Sequence, residues 1–358
     1  MKFTILLILF LSILTGPNDI RAQAQDPIKI GVISGLTGAG AKWSHFQNLG
    51  IELAQEELKT QGIDIELIYE DSQTEAKKAL SAFQRLTTIR SVKAIIMNDF
   101  GFVMIPLLPL IQKTKVPLIA LSLPQDRYCE QAPDYFFSLG SHGDNSIEAF
   151  ERYFIKNPST KKIALYIFDD PEWGAAYMKI WRELAKKYEV EIVETFLNNE
   201  WQPDFKSALT KTLLKKPDAI FLAHEPESFT KAIHQLGYKG QVVTANNIFE
   251  MLFDSPSGRP ELNGFYMADP ELSPDFVQRF VKRFNKYPIL EAYSGYEALI
   301  TVSKALKIKD LPLNKAIRQI SYKGVSGDID LINSKCSGNW NKWGLFQFNA
   351  AGLPVLVP

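Results

Sequence analysis

Short apolar runs alternate with helical stretches along this chain, and the whole alternation occurs twice. Ile28 to Ile33 is a strand-type run that ends in a Gly-rich turn, Ser34 to Gly40. Leu49, Leu53, Ala54, Glu57 and Leu58 then recur at helical spacing, and Gly62 ends that helix. Ile63 to Tyr69 reads as strand, Thr74 to Arg90 as helix with Ala76, Leu80, Phe83 and Leu86 on one face, and Val92 to Met97 as strand. Val103 to Thr114 (helix) and Val116 to Leu121 (strand) close the first series. After a break near Gly140 to Asn145 the pattern restarts. Strands are expected at Ile163–Phe168, Val190–Phe196, Ala219–Ala223 and Val242–Ala245, with helices at Trp173–Tyr188, Phe205–Lys215 and Phe229–Leu236 between them. Strands separated by helices of this length predict parallel βαβ units with helices on both faces of each sheet. The expected class is therefore α/β, with two doubly wound parallel-sheet lobes. A helix-rich stretch, Pro274 to Ile320, and a turn-rich tail, Val325 to Pro358, follow.

Charge excludes some partners. Lys plus Arg and Asp plus Glu both number 40, so no net charge draws the chain to nucleic acid or an anionic membrane. The N-terminus has the form of an export signal. Lys2 precedes an apolar run from Phe3 to Leu14, too short to span a bilayer; Gly16 and Pro17 break it, and Ala22-Gln23-Ala24 fits a cleavage site. Residues 1–24 are thus expected to leave a mature protein starting at Gln25, exported and soluble. Cys129 and Cys336 meet an oxidising compartment on this reading, but their spacing leaves open whether they pair.

Ligands of open parallel sheets bind beyond the carboxyl ends of the strands. The candidates are therefore Trp43 after the first strand, Asp99, Phe100, Gly101 and Phe102 after the third, and Ser122 and Leu123 after the fourth. In the second series they are Trp173, His224, Asn246 and Asn247. Aromatic rings with a few hydrogen-bonding groups are the usual lining of a small-molecule cleft. Other readings stay open: packing for the two tryptophans, a structural role for His224, a simple turn for the two asparagines. Asp169-Asp170-Pro171-Glu172 looks like a metal patch, but helix capping ahead of Trp173 is the favoured reading.

Catalytic constellations are scarce. Gly140-Ser141-His142-Gly143 lacks the first Gly of a nucleophile elbow, where Leu139 stands. Ala41 separates Gly40 from Lys42, which breaks a P-loop pattern, and the four histidines form no H-E-x-x-H. No enzyme activity, cofactor or metal is expected.

The order of several motifs resembles the periplasmic type I solute-binding proteins of ABC importers, in the Leu/Ile/Val-binding group. The motifs run Ile30-Gly31-Val32, Leu36-Thr37-Gly38, Trp43, Gly50-Ile51-Glu52-Leu53-Ala54 and Tyr69-Glu70-Asp71-Ser72-Gln73. They continue with Ile163-Ala164-Leu165-Tyr166, Trp173-Gly174, Tyr293-Ser294-Gly295-Tyr296-Glu297-Ala298 and Trp343-Gly344-Leu345-Phe346-Gln347-Phe348. The resemblance implies two lobes joined by three crossovers, with a ligand trapped between them by hinge closure. It divides the chain into 26–143 with 268–325, and 144–267 with 326–358. It implies a periplasmic monomer that serves an ABC permease or, alternatively, a membrane sensor. By the same resemblance Trp43 stacks on the ligand, the turns at Asp99 to Phe102 and Ser122-Leu123 hold its carboxylate, Trp173 matches the aromatic that opens the second lobe's first helix, His224 matches the site position after the strand at Phe221-Leu222, and the acid for its ammonium falls at Asn246 or Asn247. Two departures point away from a standard α-amino acid. An Asp stands where a Ser-rich carboxylate loop belongs, and Asn replaces the acid.

Overall fold

The computed structural model describes residues 27–122, 126–140, 143–200 and 202–358. The expected signal peptide lies outside them. The first series forms β1 (Ile28–Ser34), α1 (Ala41–Thr60), β2 (Ile65–Asp71), α2 (Ala76–Gln84), β3 (Ala94–Asn98), α3 (Gly101–Met104), α4 (Leu108–Thr114), β4 (Leu118–Ala120), α5 (Asp126–Cys129) and β5 (Phe136–Ser138). The strands pair in parallel in the order β2-β1-β3-β4-β5. The single helix expected over 103–114 is split into α3, a short tight turn and α4. Pro106 and Pro109 lack the N–H that a continuous helix needs, and each stands in the first turn of a new piece.

The second series forms α6 (Ile147–Lys156), β6 (Lys162–Phe168), α7 (Trp173–Lys187), β7 (Glu191–Asn198), α8 (Phe205–Leu213), β8 (Ala219–Ala223), α9 (Pro226–Gln235), β9 (Gln241–Thr244) and β10 (Tyr266–Pro270). Its parallel order, β7-β6-β8-β9-β10, repeats that of the first lobe. The chain then runs α10 (Pro274–Phe284), α11 (Leu290–Leu306), α12 (Leu313–Ile317), β11 (Ser321–Lys323), β12 (Gly327–Asp330), β13 (Asn339–Asn341), β14 (Trp343–Phe348) and β15 (Pro354–Leu356). β14 and β15 extend the second sheet antiparallel beyond β10.

Both sheets are covered on both faces, which is why their strands read as near-continuous apolar runs. In the first lobe Ile30, Val32 and Ile96 pack with α1 and α11, while Ile33, Ile95 and Met97 face α2 and α4. In the second, Ile163, Leu165 and Phe221 face α6 and α7, and Ala164, Tyr166 and Ile220 face α8 and α9. Full burial of each large side chain contributes about 1.5–3 kcal/mol, so both faces hold the strand alternation in register.

The helices after β10 return to the first lobe. Phe276, Phe280, Tyr293, Leu299 and Ile317 join its core. α1 and α11 pack backbone to backbone at Gly50, where a Cβ would stand 1.8 Å from the Ala292 carbonyl oxygen. The small sheet β11-β12-β13 also belongs here, since Ile329 and Leu331 are buried in that same core. A disulfide joins Cys129 of α5 to Cys336, with Cα atoms 5.7 Å apart, and Ser138 bridges to Ser337. The chain therefore crosses between lobes after β5, after β10 and after β13. The second crossing follows Pro270 rather than preceding residue 268. The third falls near residue 342 rather than 325, because the intervening apolar residues are buried against the first sheet.

Candidate functional site

In each sheet the strand order reverses beside the first strand of its series, so the turns after β1 and β3, and after β6 and β8, diverge and leave a crevice. On the first lobe the Gly-rich turn folds onto the end of β2. The Gly40 N–H donates to Thr74 Oγ1 at 2.8 Å, and Thr37 Oγ1 donates to Asp71 Oδ2 at 2.6 Å. Trp43 lies in the first turn of α1, and its ring meets Phe100 edge-on with centroids 5.7 Å apart. Phe100 in turn stacks on Phe102, also at 5.7 Å, and these two rings remain 42% and 65% exposed. Beneath them Asp99 is held by the Ser72 hydroxyl at 2.6 Å and the Phe100 N–H at 2.9 Å. Burial pushes its carboxyl up, and those two donors pull it back. Ser122 Oγ donates to the Asp99 carbonyl at 3.1 Å, linking the turns after β3 and β4, with Gly101 opening α3 between them. Leu123 lies outside the described residues.

On the second lobe Asp170 caps α7. Its carboxylate accepts from the N–H groups of Glu172, Trp173 and Gly174 at 2.8–2.9 Å, so this acid serves the helix N-terminus. Gly174 is required there because a Cβ would stand 1.8 Å from the Phe168 carbonyl oxygen. Trp173 packs edge-on against Tyr177 at 5.4 Å, and Tyr177 donates to Asn246 Oδ1 at 3.3 Å. His224 does not join them. It is 0% exposed, enclosed by Phe168 and Phe205, and burial pulls its pKa down to about 4. Its Nδ1 accepts from the Glu225 N–H at 2.8 Å, which leaves Nε2 to donate to the Asn198 carbonyl at 3.3 Å. Asn247 is used in the same framework, donating to the His224 carbonyl at 2.6 Å.

Polar ties cross from lobe to lobe beside these turns. Glu250, just beyond β9, accepts from Trp43 Nε1 and Lys42 Nζ, both at 2.8 Å. Glu172, ahead of α7, accepts from the Arg127 guanidinium at 2.6 Å and the Tyr128 hydroxyl at 2.7 Å. Trp43 thus contacts the second lobe directly, and the residue before Trp173 contacts the first.

The strand-end rule also applies to β10, whose penultimate residue is Asp269. Asp269 is 1% exposed, and among the described residues neither of its carboxylate oxygens has a hydrogen-bond partner. Burial pushes its pKa well up, and Glu291 of α11 pushes it further; Asn246 is near enough to oppose the shift without forming a bond of ordinary geometry. Glu291 is itself pushed up to about 8, by burial first and then by Glu250, with Lys42 acting in the opposite sense. Tyr293, two residues further along α11, is fully buried, and its hydroxyl also lacks a partner among the described residues.

The comparisons bear on this geometry. A family model described as periplasmic binding protein matches residues 27–352. The chain belongs to the periplasmic binding protein family. Solved structures agree in fold. A branched-chain amino acid transporter substrate binding protein from Streptococcus pneumoniae, in complex with isoleucine, is 21% identical, covers 92% of this chain and 99% of its own, and superposes with a TM-score of 0.78. A solute binding protein of an ABC transporter from Rhodopseudomonas palustris, in complex with 3,4-dihydroxy benzoic acid, is 21% identical over 90% and 93%, with a TM-score of 0.78. A leucine binding protein from Thermotoga maritima is 18% identical over 92% and 98%, with a TM-score of 0.73. No curated protein matches the sequence.

Within this periplasmic binding protein the expected residues divide. Trp43, Asp99, Phe100, Gly101, Phe102 and Ser122 gather at the strand ends of the first lobe, and Trp173 and Asn246 at those of the second. His224 belongs to the interior of the second lobe, and the half-buried Asn247 is tied to its carbonyl. Sequence reasoning missed Glu250, Asp269, Glu291 and Tyr177. Reading Tyr266–Pro270 as a strand would have pointed to Asp269. Nothing in the local pattern marks Glu250, whose role depends on the other lobe. Among the described residues no group of three or more His, Cys, Asp or Glu side chains is disposed to hold a metal, and no helix is long and apolar enough to cross a membrane.

Proposed function

We propose that this protein is exported, captures a small molecule between its lobes by hinge closure, and presents it to an ABC permease. The task is capture, not turnover, and the working unit is a monomer in the periplasm. The observation that carries this reading is the pair of lobe-to-lobe ties at Glu250 and Glu172, which flank the crevice where Trp43 and Trp173 stand. Side chains from both halves are thereby poised to enclose a guest, the geometry of hinge-closing binders. Trp43, Asp99, the Phe100–Phe102 turn, Ser122, Leu123, Trp173 and Asn246 form the contact set.

The guest is not a standard α-amino acid. Relatives of this fold take isoleucine and 3,4-dihydroxy benzoic acid, both carboxylates. Here a carboxyl group, Asp99, occupies the turn after β3 and repels another anion at short range. A thermal-shift screen of the mature protein against small metabolites tests the reading. A ligand at 100 times its dissociation constant adds about 2.7 kcal/mol of stability. Trp43→Ala is expected to weaken the strongest hit by about tenfold or more. A hit indifferent to that change refutes the site.

A further inference from the structure

Three carboxyl groups are linked in series near the lobe seam: Glu250, which holds Trp43, acts on Glu291, and Glu291 acts on Asp269. Glu250 lies beyond β9, Asp269 is next to last in β10, and Glu291 lies in the first turn of α11, which packs with the first lobe. Glu250 is satisfied: its two oxygens hold Trp43 Nε1 and Lys42 Nζ. Asp269 is the opposite case, since both its oxygens are sealed from solvent and have no partner among the described residues. The Tyr293 hydroxyl, equally buried and unpartnered, lies within the field of Asp269 and Glu291. Tyr177 and Tyr287 feel Asp269 from α7 and from the turn before α11. Lys42 is the cation that acts on Glu291, and it is already bound to Glu250. An unpaired buried carboxylate costs several kcal/mol. A buried acid beside a second, half-buried one is relieved in one of two ways, by a proton or by a cation.

We propose that Asp269 and Glu291 form a cation-recognition subsite at the inner end of the cleft, taking the charged nitrogen of an organic cation whose flat body lies toward Trp43 and Phe100. The inference rests on the cleft reading above and deepens it by naming the ligand class: an ammonium, amidinium or guanidinium compound without a free carboxylate. The placement follows from charge. Asp99 on the first lobe and Asp269 on the second both disfavour an anion, and exposed aromatic faces attract a cation. It also follows from topology, since Asp269 and Glu291 come from different lobes and approach each other only when those lobes meet. Without a cation, closure requires the two carboxyls to hold protons; a cation between them lets them ionise and favours closure.

Protons provide a signature. A cation favours the ionised carboxyls, so its binding expels protons that the raised pKa values hold at neutral pH. Affinity for a permanently charged guest is therefore expected to rise with pH through the region near 8, the value for Glu291.

The test uses titration calorimetry on the full mature chain with benzamidinium and its neutral analogue benzamide. Wild-type protein is expected to prefer benzamidinium by about tenfold or more, with proton release seen as a dependence of heat on the buffer. Asp269→Asn and Glu291→Gln are each expected to erase that preference, whereas Trp43→Ala weakens both probes. Equal binding of the two probes, or a preference that survives Asp269→Asn, overturns the subsite. So does a metabolite hit that carries no positive charge yet depends on Trp43, and that result leaves the cleft reading intact. If no guest responds to Trp43→Ala, the cleft reading itself fails.

Discussion

Glu297 and Asp269 are both carboxyl groups inside the molecule, but their surroundings are opposite. Glu297 of α11 takes three donors from the segment that follows β11: the Val325 N–H at 2.7 Å, the Ser326 N–H at 3.0 Å and the Ser326 hydroxyl at 2.9 Å. Burial pushes its pKa up to about 7 while those donors pull against the shift. Asp269 has no donor of ordinary geometry, and a second acid adds to its burden. A buried acid with its acceptors filled is architecture; it pins the helix to the returning chain. A buried acid with its acceptors empty raises the energy of the folded state and calls for an occupant. Lobe position sharpens the contrast. Glu297 is bonded to first-lobe structure, whereas Asp269 of the second lobe feels Glu291 of the first.

The largest effect should come from breaking the satisfied site. Glu297→Ala strands the buried N–H and hydroxyl of Ser326 and the half-buried N–H of Val325, and is expected to cost about 3–5 kcal/mol in urea unfolding. A loss below about 1 kcal/mol would erase the distinction between the two acids. The next effect has the opposite sign. Asp269→Asn is expected to stabilise the ligand-free protein at pH 8 by about 1–3 kcal/mol, because it removes a charge without changing shape. The pH course fixes the cause. A carboxyl with a raised folded pKa is protonated in both states at low pH, so it has no effect there. As pH rises, the unfolded chain ionises first, and stability falls until the folded pKa is passed. For Glu291 that interval runs from 4.5 to about 8. Wild-type stability should fall across it, and Asp269→Asn should flatten part of the fall in thermal melts from pH 4 to 9. A parallel fall in both proteins would show that Asp269 is not strained. The smallest effect belongs to the seam ties. Glu250→Gln and Glu172→Gln each remove one charge partner from a partly exposed pair, worth about 0.5–1 kcal/mol. Ligand affinity should drop a few-fold, and the drop should shrink at high salt.

Much of the fold was legible because double-sided burial writes itself into the strands. The runs at Ile28–Ile33, Ile163–Phe168 and Ala219–Ala223 became β1, β6 and β8 within a residue, since nearly all their side chains face a covered surface. β5 and β10 escaped notice; one is three residues long, and the other ends in Asp269-Pro270, which reads as a turn. The candidate site was legible only to the level of strand ends. His224 follows β8 as the rule requires, yet its ring turns inward because a local backbone N–H and the Asn198 carbonyl satisfy both nitrogens. No acid stands at Asn246 or Asn247; the buried carboxyl that acts with Asn246 is Asp269, from the next strand of the sheet.

The sequence alone determined the alternation of strands and helices, the presence of two similar sheets, and the loops that face the crevice. These depend on periodicity and on turn residues, which are local. Only the tertiary structure decided which residues meet across the crevice: Trp43 with Glu250, Arg127 with Glu172, Cys129 with Cys336. It also decided which carboxyls are left without donors. Such pairings join positions far apart in the chain, and their energies depend on desolvation and distance, neither of which a linear pattern encodes.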